Sequence, residues 1–456
     1  MATASTTDGK ILRYQSARAL DEVPRYKSGL QVQPKSGERV YIALSALELA
    51  LYFEREFTLH YDLEGRLTRV ARQSQYRRRG LSHRVLLTSK RSAEEGGGIE
   101  RTLLSSEEAD SLVKEAHAES VRIFKELDTQ VPTLEYAKPG PGQALAEIMP
   151  MLERAAKFDL EEAHRDAERF HSIYGRVAVL PPDQYNALVL QATEGCAYSS
   201  CLFCELYRGV FYGRKTPAEF IQHLQHAMAY HGEALRARRS VFLGEANALT
   251  LPQDDLVEIF EALHHHLEFA PPDQDHVPAS WWLGQKNRFD GVSTFLDVFM
   301  GPHRTTREFR KLRDLGLRRV YIGLETGDDK LLQWLCKPAT GARITECVTT
   351  VKTAGIAVGV IVLLGAGGHE FAESHARETA RLINDLPLDR NDFIYFSPLV
   401  IHPQSRYAEQ ARTLKVAALS ATEICDQEQA IRHALRFDEQ RGRPHLGRYE
   451  LDLFIY

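Results

Sequence analysis

Three of the six cysteines lie within nine residues of one another, in the stretch LQATEGCAYSSCLFCELYRGVFYG (190–213). They are Cys196, Cys201 and Cys204, spaced as C-x4-C-x2-C. Thiolates bind soft or borderline metals, chiefly zinc or the iron of iron–sulfur clusters. A structural zinc site is normally closed by a fourth Cys or His, yet the chain has no second C-x2-C pair and no histidine beside the motif. Three cysteines without a fourth suit a [4Fe–4S] cluster that keeps one iron open for another ligand.

Two other interpretations of these cysteines stay open from the residues alone. They could be ligands of a zinc ion, or three unrelated structural residues. The remaining cysteines follow no ligand spacing and are expected to be small buried hydrophobic residues; these are Cys336, Cys347 and Cys425.

The composition is that of an ordinary globular protein. The chain has 456 residues, of which 43% are hydrophobic and 26% charged, and this length allows two or three domains. A formal charge of −5 gives no global argument for a nucleic-acid or membrane partner. No apolar run is long enough for a membrane span, and the N-terminus has no signal-like segment. The few, clustered cysteines are typical of a reducing compartment, so we expect a cytoplasmic protein.

From about residue 181, short apolar runs alternate with amphipathic helical stretches. The six runs are 187–193, 240–244, 292–299, 319–325, 358–365 and 392–401. Crossover helices join parallel strands, so this alternation predicts a parallel sheet: a partial (β/α)6 TIM-like barrel or a doubly wound sheet. In either fold the chemistry lies at the C-terminal ends of the strands, and the cysteines directly follow the first strand.

The N-terminal region does not follow this alternation and predicts an α+β domain. Four regions are expected: a flexible tail (1–30), an accessory α+β domain (31–180), the barrel (181–415) and a C-terminal helical extension (416–456). Residues 43–54 are predicted as a short apolar helix and residues 57–73 as a hairpin. Ser105 and Glu108 form a capping box at the start of a helix.

One stretch of the N-terminal region is strongly basic. Nine Lys or Arg residues and no acid lie between Arg66 and Arg91. This pattern favours a solvated hairpin face, with an RNA-binding patch as the alternative.

The cysteine motif, its place after the first strand and Phe203 before the last cysteine resemble the radical S-adenosylmethionine (radical SAM) superfamily. The commonest spacing there is C-x3-C-x2-C, so the first gap is one residue longer here. Three further stretches match in order over about residues 183 to 410. FLGEANAL (242–249) resembles the Gly-Gly-Glu motif through Gly244 and Glu245.

The other two stretches resemble the parts of that barrel that contact the nucleoside. GLETGDD (323–329) resembles the ribose-binding strand, with Glu325 as its polar residue, and GVIVLLGAGGHE (359–370) resembles the glycine-rich turn beside adenine, with Gly365 and Gly367. The likeness is closest to the branch that contains Elongator-type and oxygen-independent coproporphyrinogen-oxidase-type enzymes.

The resemblance implies a radical SAM enzyme with Cys196, Cys201 and Cys204 as ligands of a [4Fe–4S] cluster. S-adenosylmethionine (SAM) would be cleaved reductively to a 5′-deoxyadenosyl radical that takes hydrogen from a substrate. Glu245 would bind the SAM ammonium and Glu325 the ribose. The other implied cofactor contacts are Phe203, Gly244, Gly365 and Gly367. A flavodoxin- or ferredoxin-type protein would supply the electron. No residue is assigned as catalytic.

The sequence contains no obvious second-cluster, cobalamin-binding or acetyltransferase-like domain. A small metabolite or a peptide is therefore the expected substrate, with nucleic acid as a weaker possibility. Two alternatives are kept: a radical SAM enzyme that modifies tRNA, and a zinc-stabilised β/α binding module without enzymatic activity.

Overall fold

The N-terminal region is built on one nine-stranded antiparallel sheet in the computed structural model, which describes residues 27–34, 37–90, 99–129, 133–271, 277–451 and 454–456. Eight strands follow chain order across the sheet, and the ninth pairs with the first. The strands are β1 (Ser28–Gln33), β2 (Val40–Leu44), β3 (Glu48–Phe53), β4 (Phe57–Asp62), β5 (Leu67–Arg72), β6 (Gln75–Arg79), β7 (Val85–Lys90), β8 (Ile99–Leu103) and β9 (Thr133–Lys138).

Three helices supply the other half of this domain's core: α1 (Ser106–Thr129), α2 (Pro141–Ala156) and α3 (Leu160–Ile173). Their apolar residues, such as Ile123 and Ile148, form one buried cluster with sheet residues such as Ile42 and Leu59. The predicted capping box begins α1: the Ser105 hydroxyl accepts from the Glu108 N–H, and the Glu108 carboxylate accepts from the Ser105 N–H.

The N-terminal predictions are partly right. The hairpin over residues 57–73 is confirmed as the antiparallel pair β4–β5. The helix predicted over residues 43–54 is wrong, because the Ser45 hydroxyl accepts the N–H groups of Leu47 and Glu48 and closes a turn between β2 and β3. Of the predicted tail, residues 1–26 lie outside the described residues, and Ser28 already begins β1.

The basic stretch is a solvated face only in part: Arg72, Arg84 and Lys90 are exposed, and Arg91 lies outside the described residues. Arg66 and Arg79 are buried, Arg69 pairs with Glu48, and Arg72 pairs with Glu115. The acids that neutralise these arginines come from other parts of the chain, which the local composition could not reveal.

The second domain is a seven-stranded parallel sheet with helices, a partial TIM-like barrel, as predicted. The strands in this part of the chain are β10 (Leu188–Gln191), β11 (Thr193–Glu194), β12 (Gly213–Arg214), β13 (Val241–Gly244), β14 (Glu268–Phe269), β15 (Arg288–Phe289), β16 (Val292–Phe295), β17 (Leu317–Glu325), β18 (Ala357–Leu364), β19 (Phe393–Pro398) and β20 (His445–Arg448). In the parallel sheet, seven of these strands lie side by side in the order β10-β13-β16-β17-β18-β19-β20.

Helices connect the parallel strands and pack on them. They are α4 (Pro217–His231), α5 (Gln253–His266), α6 (Ala279–Trp282), α7 (Thr306–Asp314), α8 (Asp329–Trp334), α9 (Gly341–Thr353), α10 (Gly368–Asp385), α11 (Arg406–Thr413) and α12 (Ala421–Ala434). None of the helices in the described part of the chain combines the length and apolar character that a membrane span requires.

All six predicted strands are present, and the sheet gains a seventh that the sequence did not predict. The segment 416–456, expected to be helical, contributes α12 and then β20, which pairs in parallel with β19. Its sequence, His-Leu-Gly-Arg, has no run of apolar or β-branched residues, so only the pairing with β19 identifies it as a strand.

The free edge of β10 is covered by side chains instead of another strand. The Tyr456 hydroxyl accepts from the Val189 N–H at 3.0 Å, and the Tyr174 hydroxyl donates to the Val189 carbonyl at 3.0 Å. Nε2 of His223 accepts from the Gln191 N–H at 2.9 Å. The backbone groups at this edge are therefore satisfied within the chain.

A buried arginine of the N-terminal domain, Arg66, reaches the second domain. The Arg66 guanidinium lies 2.8 Å from Asp166 of α3 and donates to the Tyr230 carbonyl of α4. The Asp166 side chain is fully buried, and Arg79 is a second cation beside it. Leu81 adds a backbone bond to the Tyr456 carbonyl at 2.7 Å.

Candidate active site

The three cysteines lie on a loop, residues 195–207, that follows β11 at the C-terminal edge of the parallel sheet; we call it the cysteine loop. It starts at Gly195, whose φ is +67° and whose Cα faces the Phe211 carbonyl so closely that a Cβ would lie 2.8 Å away. All three thiols are partly buried. Burial raises the pKa of Cys201 to about 12 and that of Cys204 to about 11, so both are neutral thiols without a metal.

The spacing of the thiols is wider than one metal ion needs. Among the described residues, only one group of three His, Cys, Asp or Glu side chains has all its ligand atoms within 4.8 Å, and it lies in the N-terminal domain. Three thiolates on one zinc ion would lie about 3.8 Å apart, because each Zn–S bond is about 2.3 Å long. The cysteine loop thus suits a polynuclear cluster better than zinc.

The group in the N-terminal domain, His83, Asp110 and His164, is a hydrogen-bond network. Both imidazole Nε2 atoms lie close to Asp110 Oδ1, at 2.8 Å and 3.1 Å. Nε of Arg79 donates to Nδ1 of His83 at 3.2 Å, which leaves the hydrogen of that ring on Nε2. That Nε2 donates to Asp110 and has no lone pair for a metal.

Backbone carbonyls of one neighbouring segment and a small apolar cluster hold the cysteine loop. The Leu202 N–H donates to the Leu335 carbonyl at 2.9 Å, and the Tyr198 hydroxyl donates to the Cys336 carbonyl at 2.8 Å. Phe203, predicted as a cofactor contact, packs against a small apolar cluster that includes Leu202, Leu331, Leu335 and Tyr407. The packing of Phe203 therefore fixes the backbone between the last two cysteines.

Glu245 follows β13 directly and points at the start of the cysteine loop. Its side chain is buried, and Oε2 accepts from the Gly195 N–H at 3.0 Å. Oε1 is buried, and no group lies at hydrogen-bond geometry to it or to Nδ2 of the nearby Asn247, although the Gln191 side chain is close enough to lower the pKa of Glu245 against the effect of burial. Burial raises the pKa of Glu245 to about 7. A buried carboxylate oxygen without a donor is a place for a cationic ligand. At Gly244 a Cβ would meet nothing nearer than 3.8 Å, so this glycine leaves space beside the site.

Glu325 ends β17 with φ +58°, and a buried lysine holds its carboxylate. Nζ of Lys337 lies 2.8 Å from Glu325 Oε1, and only 5% of the Lys337 side chain is exposed. Although burial alone would lower the pKa of Lys337, the carboxylates of Glu325 and Asp297 raise it to about 12. Lys337 is also close enough to Cys201 to lower the pKa of that thiol against the effect of burial.

Lys337 and Asp297 were missed by the sequence reasoning. Asp297 lies two residues after β16, so its place at a strand end could have identified it. Lys337 comes after α8, twelve positions beyond Glu325, and no pattern in the sequence marks it.

Gly365 and Gly367 form the turn between β18 and α10 at the same edge of the sheet. Both have positive φ, +77° and +74°. A Cβ on Gly367 would lie 2.7 Å from side-chain atoms of Leu331 and Phe371, and its N–H donates to the Tyr407 hydroxyl at 2.9 Å. The turn and its packing require both glycines whether or not a ligand lies against them.

The thiols of the cysteines outside the motif take no part in this arrangement. Cys347 is partly buried, whereas Cys336 and Cys425 are exposed, so the prediction of buried residues is wrong for the latter two. Cys336 is carried on the loop whose carbonyls hold the cysteine loop, a position that only the folded chain creates.

The profile of the Radical SAM superfamily matches residues 190–383. Residues 190–383 form a radical SAM domain. The match covers the last two residues of β10, the cysteine loop, Glu245, Glu325 and both glycines of the β18–α10 turn. Members of this superfamily bind a [4Fe–4S] cluster and SAM.

The residues present fit these two groups. The motif offers three thiols at a wider spacing than a single ion needs, and Glu245 offers a buried oxygen without a donor. A bound cluster would supply one electron to SAM, and the chain would supply the ligands, the counter-charges and the shelter from water.

Solved structures with a related fold are only distantly similar. OxsB, a cobalamin-dependent S-adenosylmethionine radical enzyme, shares 14% identity over 55% of this chain and 31% of its own, with a TM-score of 0.35. Coproporphyrinogen III oxidase from Escherichia coli shares 13% identity over 53% of this chain and 50% of its own, with a TM-score of 0.33. HydG, a maturase of the [FeFe]-hydrogenase, shares 14% identity over 75% of this chain and 70% of its own, with a TM-score of 0.37. The chain thus spans about a third of OxsB, and no curated protein matches it.

Proposed function

We propose that this radical SAM enzyme holds its [4Fe–4S] cluster with Cys196, Cys201 and Cys204 and uses it to cleave SAM reductively. The resulting 5′-deoxyadenosyl radical would take a hydrogen atom from a small metabolite or a peptide. The observation that carries this proposal is the meeting of the three thiols, the free oxygen of Glu245 and the Lys337–Glu325 pair at one edge of one sheet.

Glu245 is the proposed partner of the SAM ammonium. Its Oε2 is held by Gly195, next to the first cysteine, so its orientation is fixed before the ligand arrives. Oε1 is buried and lacks a donor. A charge-assisted bond to an ammonium would satisfy this atom and favour the ionised carboxylate.

The Lys337–Glu325 pair is proposed to serve the polar part of SAM. The pair uses Oε1 of Glu325 and leaves Oε2 free to accept from a ribose hydroxyl. Lys337 is the only Lys or Arg with an ion pair to Glu325 in the described part of the chain, and its charge offsets the acids around it. The glycines Gly365 and Gly367 would allow the adenine to approach the backbone of the β18–α10 turn.

Iron content and SAM cleavage test the cluster assignment. Anaerobic reconstitution should give about four irons per chain and reductive release of 5′-deoxyadenosine. Cys201→Ala should lose both, whereas Cys425→Ala, at an exposed cysteine outside the motif, should keep both. A Cys201→Ala protein with full iron content and full SAM cleavage would contradict the assignment.

The two alternatives make different predictions. A zinc-stabilised binding module should carry zinc and no sulfide after anaerobic purification, and the wide spacing of the thiols speaks against it. A tRNA-modifying enzyme should bind RNA with an affinity that falls steeply with salt. The pairing of Arg69 and Arg72 with acids supports a substrate other than nucleic acid.

The electron is proposed to come from a flavodoxin- or ferredoxin-type protein in the cytoplasm. Comparing the metabolites of cells with and without the protein, followed by deoxyadenosine-coupled assays of the candidates, would identify the substrate.

A further inference from the structure

An apolar groove of about 420 Å³ lies beside α11, outside the sheet. We call it the α11 groove. It is lined by Ile401, Pro403, Tyr407, Ala408, Ala411, Arg412, Val416 and Ala418. The mechanism proposed above uses none of these side chains.

The groove lies directly behind the cysteine loop. The Arg406 guanidinium, at the start of α11, donates to the carbonyls of Ser199 and Cys201 at 3.4 Å and 3.3 Å. On the inner side of the helix, Tyr407 belongs to the same apolar cluster as Leu202 of the cysteine loop. A layer of side chains therefore separates the groove from the cluster ligands.

The surface around the groove is both apolar and basic. Val400, Ile401 and Leu414 are 37%, 36% and 55% exposed, which is unusual for large apolar residues. Between residues 401 and 419 there are three Lys or Arg residues and one acid, Glu409, although the chain as a whole has a formal charge of −5. The three cations are exposed and have no ion pair with any described residue; they are Arg406, Arg412 and Lys415.

We infer that the α11 groove is the docking site of an acidic one-electron carrier protein that reduces the cluster. This inference rests on the proposed function, because reductive cleavage needs one electron for each SAM cleaved: the carrier is oxidised by one electron and the cluster is reduced by one. Interfaces between redox proteins are small and depend on complementary charge, which steers the encounter. The groove offers a small apolar centre, a basic rim and a short path to the cysteines.

Charge reversal separates docking from reduction itself. With reduced flavodoxin as donor at low salt, the double variant Arg412→Glu/Lys415→Glu should reduce its cluster about tenfold more slowly than the wild type. With dithionite, a small donor that needs no docking surface, the two proteins should be reduced at the same rate. Lys114→Glu, on the exposed face of α1, is the matched control and should leave both rates unchanged. The wild-type rate with flavodoxin should fall as salt rises, and that of the double variant should fall less.

Two results would overturn the docking site while leaving the proposed function intact. The first is an unchanged rate of reduction by flavodoxin in the double variant. The second is a loss of SAM affinity in Ala408→Glu, which would assign the groove to SAM. If the wild-type protein had no reducible cluster, that result would contradict the proposed function and the docking site together.

Discussion

Glu245 has one carboxylate oxygen held by the cysteine loop and the other without a donor. Glu245→Gln keeps the shape and one acceptor but removes the charge. A charge-assisted hydrogen bond in a buried site is worth about 1.5–3 kcal/mol, so SAM affinity should fall roughly ten- to a hundredfold. Iron content should be unchanged, because Glu245 is not a cluster ligand. Calorimetric titration of SAM and an iron assay on the same sample measure the two quantities.

The pH dependence of SAM binding gives an independent control. Because the pKa of Glu245 is raised to about 7, the carboxylate is partly protonated at neutral pH. A cationic ligand favours the ionised form, so the affinity of the wild type should weaken as the pH falls below about 7. The Gln variant should lack this dependence. Unchanged affinity in the variant, or the same pH profile in both proteins, would contradict the role given to Glu245.

Lys337 is expected to be as important for stability as for SAM. Lys337→Met leaves the buried Glu325 without its partner, and breaking a buried ion pair in this way costs about 3–5 kcal/mol. The double variant Lys337→Met/Glu325→Gln removes both charges and should recover much of that loss. Urea unfolding of the cluster-free protein measures the free energy of unfolding; equal stabilities of the single and double variants would show that the pair is not coupled.

At the scale of single residues, the sequence was informative where chemistry follows a strand in the chain. The placement of the cysteines and Glu245 at the C-terminal edge of the sheet could be predicted, because Glu245 directly follows β13 and the cysteines lie on the loop that follows β11. Lys337 could not, because its role depends on a loop after α8 folding back onto β17.

Among the secondary-structure elements, β10 has one edge whose backbone groups are hydrogen-bonded to side chains and not to another strand. Nε2 of His223 must be unprotonated to accept the Gln191 N–H, and burial lowers the pKa of His223 from 6.5 to about 4. Its contribution to stability is complete above pH 6.5 and is lost as the pH falls toward 4, because the unfolded state binds the proton more readily in that range. The free energy of unfolding should fall by about 3 kcal/mol over this pH range.

His223→Gln tests this assignment, because a Gln oxygen can accept the same N–H without titrating. The variant should lose less stability than the wild type between pH 7 and 4, as measured by urea unfolding at each pH. His265→Gln, at an exposed position on α5, should follow the wild type. Parallel curves for the wild type and His223→Gln would contradict the prediction.

Elements with a strong local signal were predicted, and those defined by pairing were not. The capping box at Ser105 and Glu108 begins α1 as expected. The run over residues 43–54 is rich in helix formers, yet it forms strands because a nine-stranded sheet surrounds it. β20 has no signal of its own and exists through its pairing with β19.

In the whole molecule, the buried carboxylate of Asp166 holds Arg66, the arginine that links the two domains. Asp166→Asn would leave the buried Arg79 without a counter-charge and Arg66 with Asp62 alone, and we expect the free energy of unfolding to fall by about 3–5 kcal/mol. Because Arg66 also contacts Tyr230 of α4, both domains should be destabilised together. Urea unfolding followed by tryptophan fluorescence and by circular dichroism would measure this.

Glu161→Gln is the control on the same helix. Glu161 is largely exposed, and its replacement should change the free energy of unfolding by less than about 0.5 kcal/mol. If Asp166→Asn were as stable as Glu161→Gln, the ionic contact would not hold the domains together.

The covered edge of β10 also bears on how copies of the chain meet one another. An open sheet ends in a strand whose free N–H and C=O groups can pair with a strand of another molecule, which is a common start of aggregation. Tyr174, Tyr456 and His223 already occupy these groups on β10. The partial barrel can therefore stay open without offering this edge as a template for intermolecular sheets.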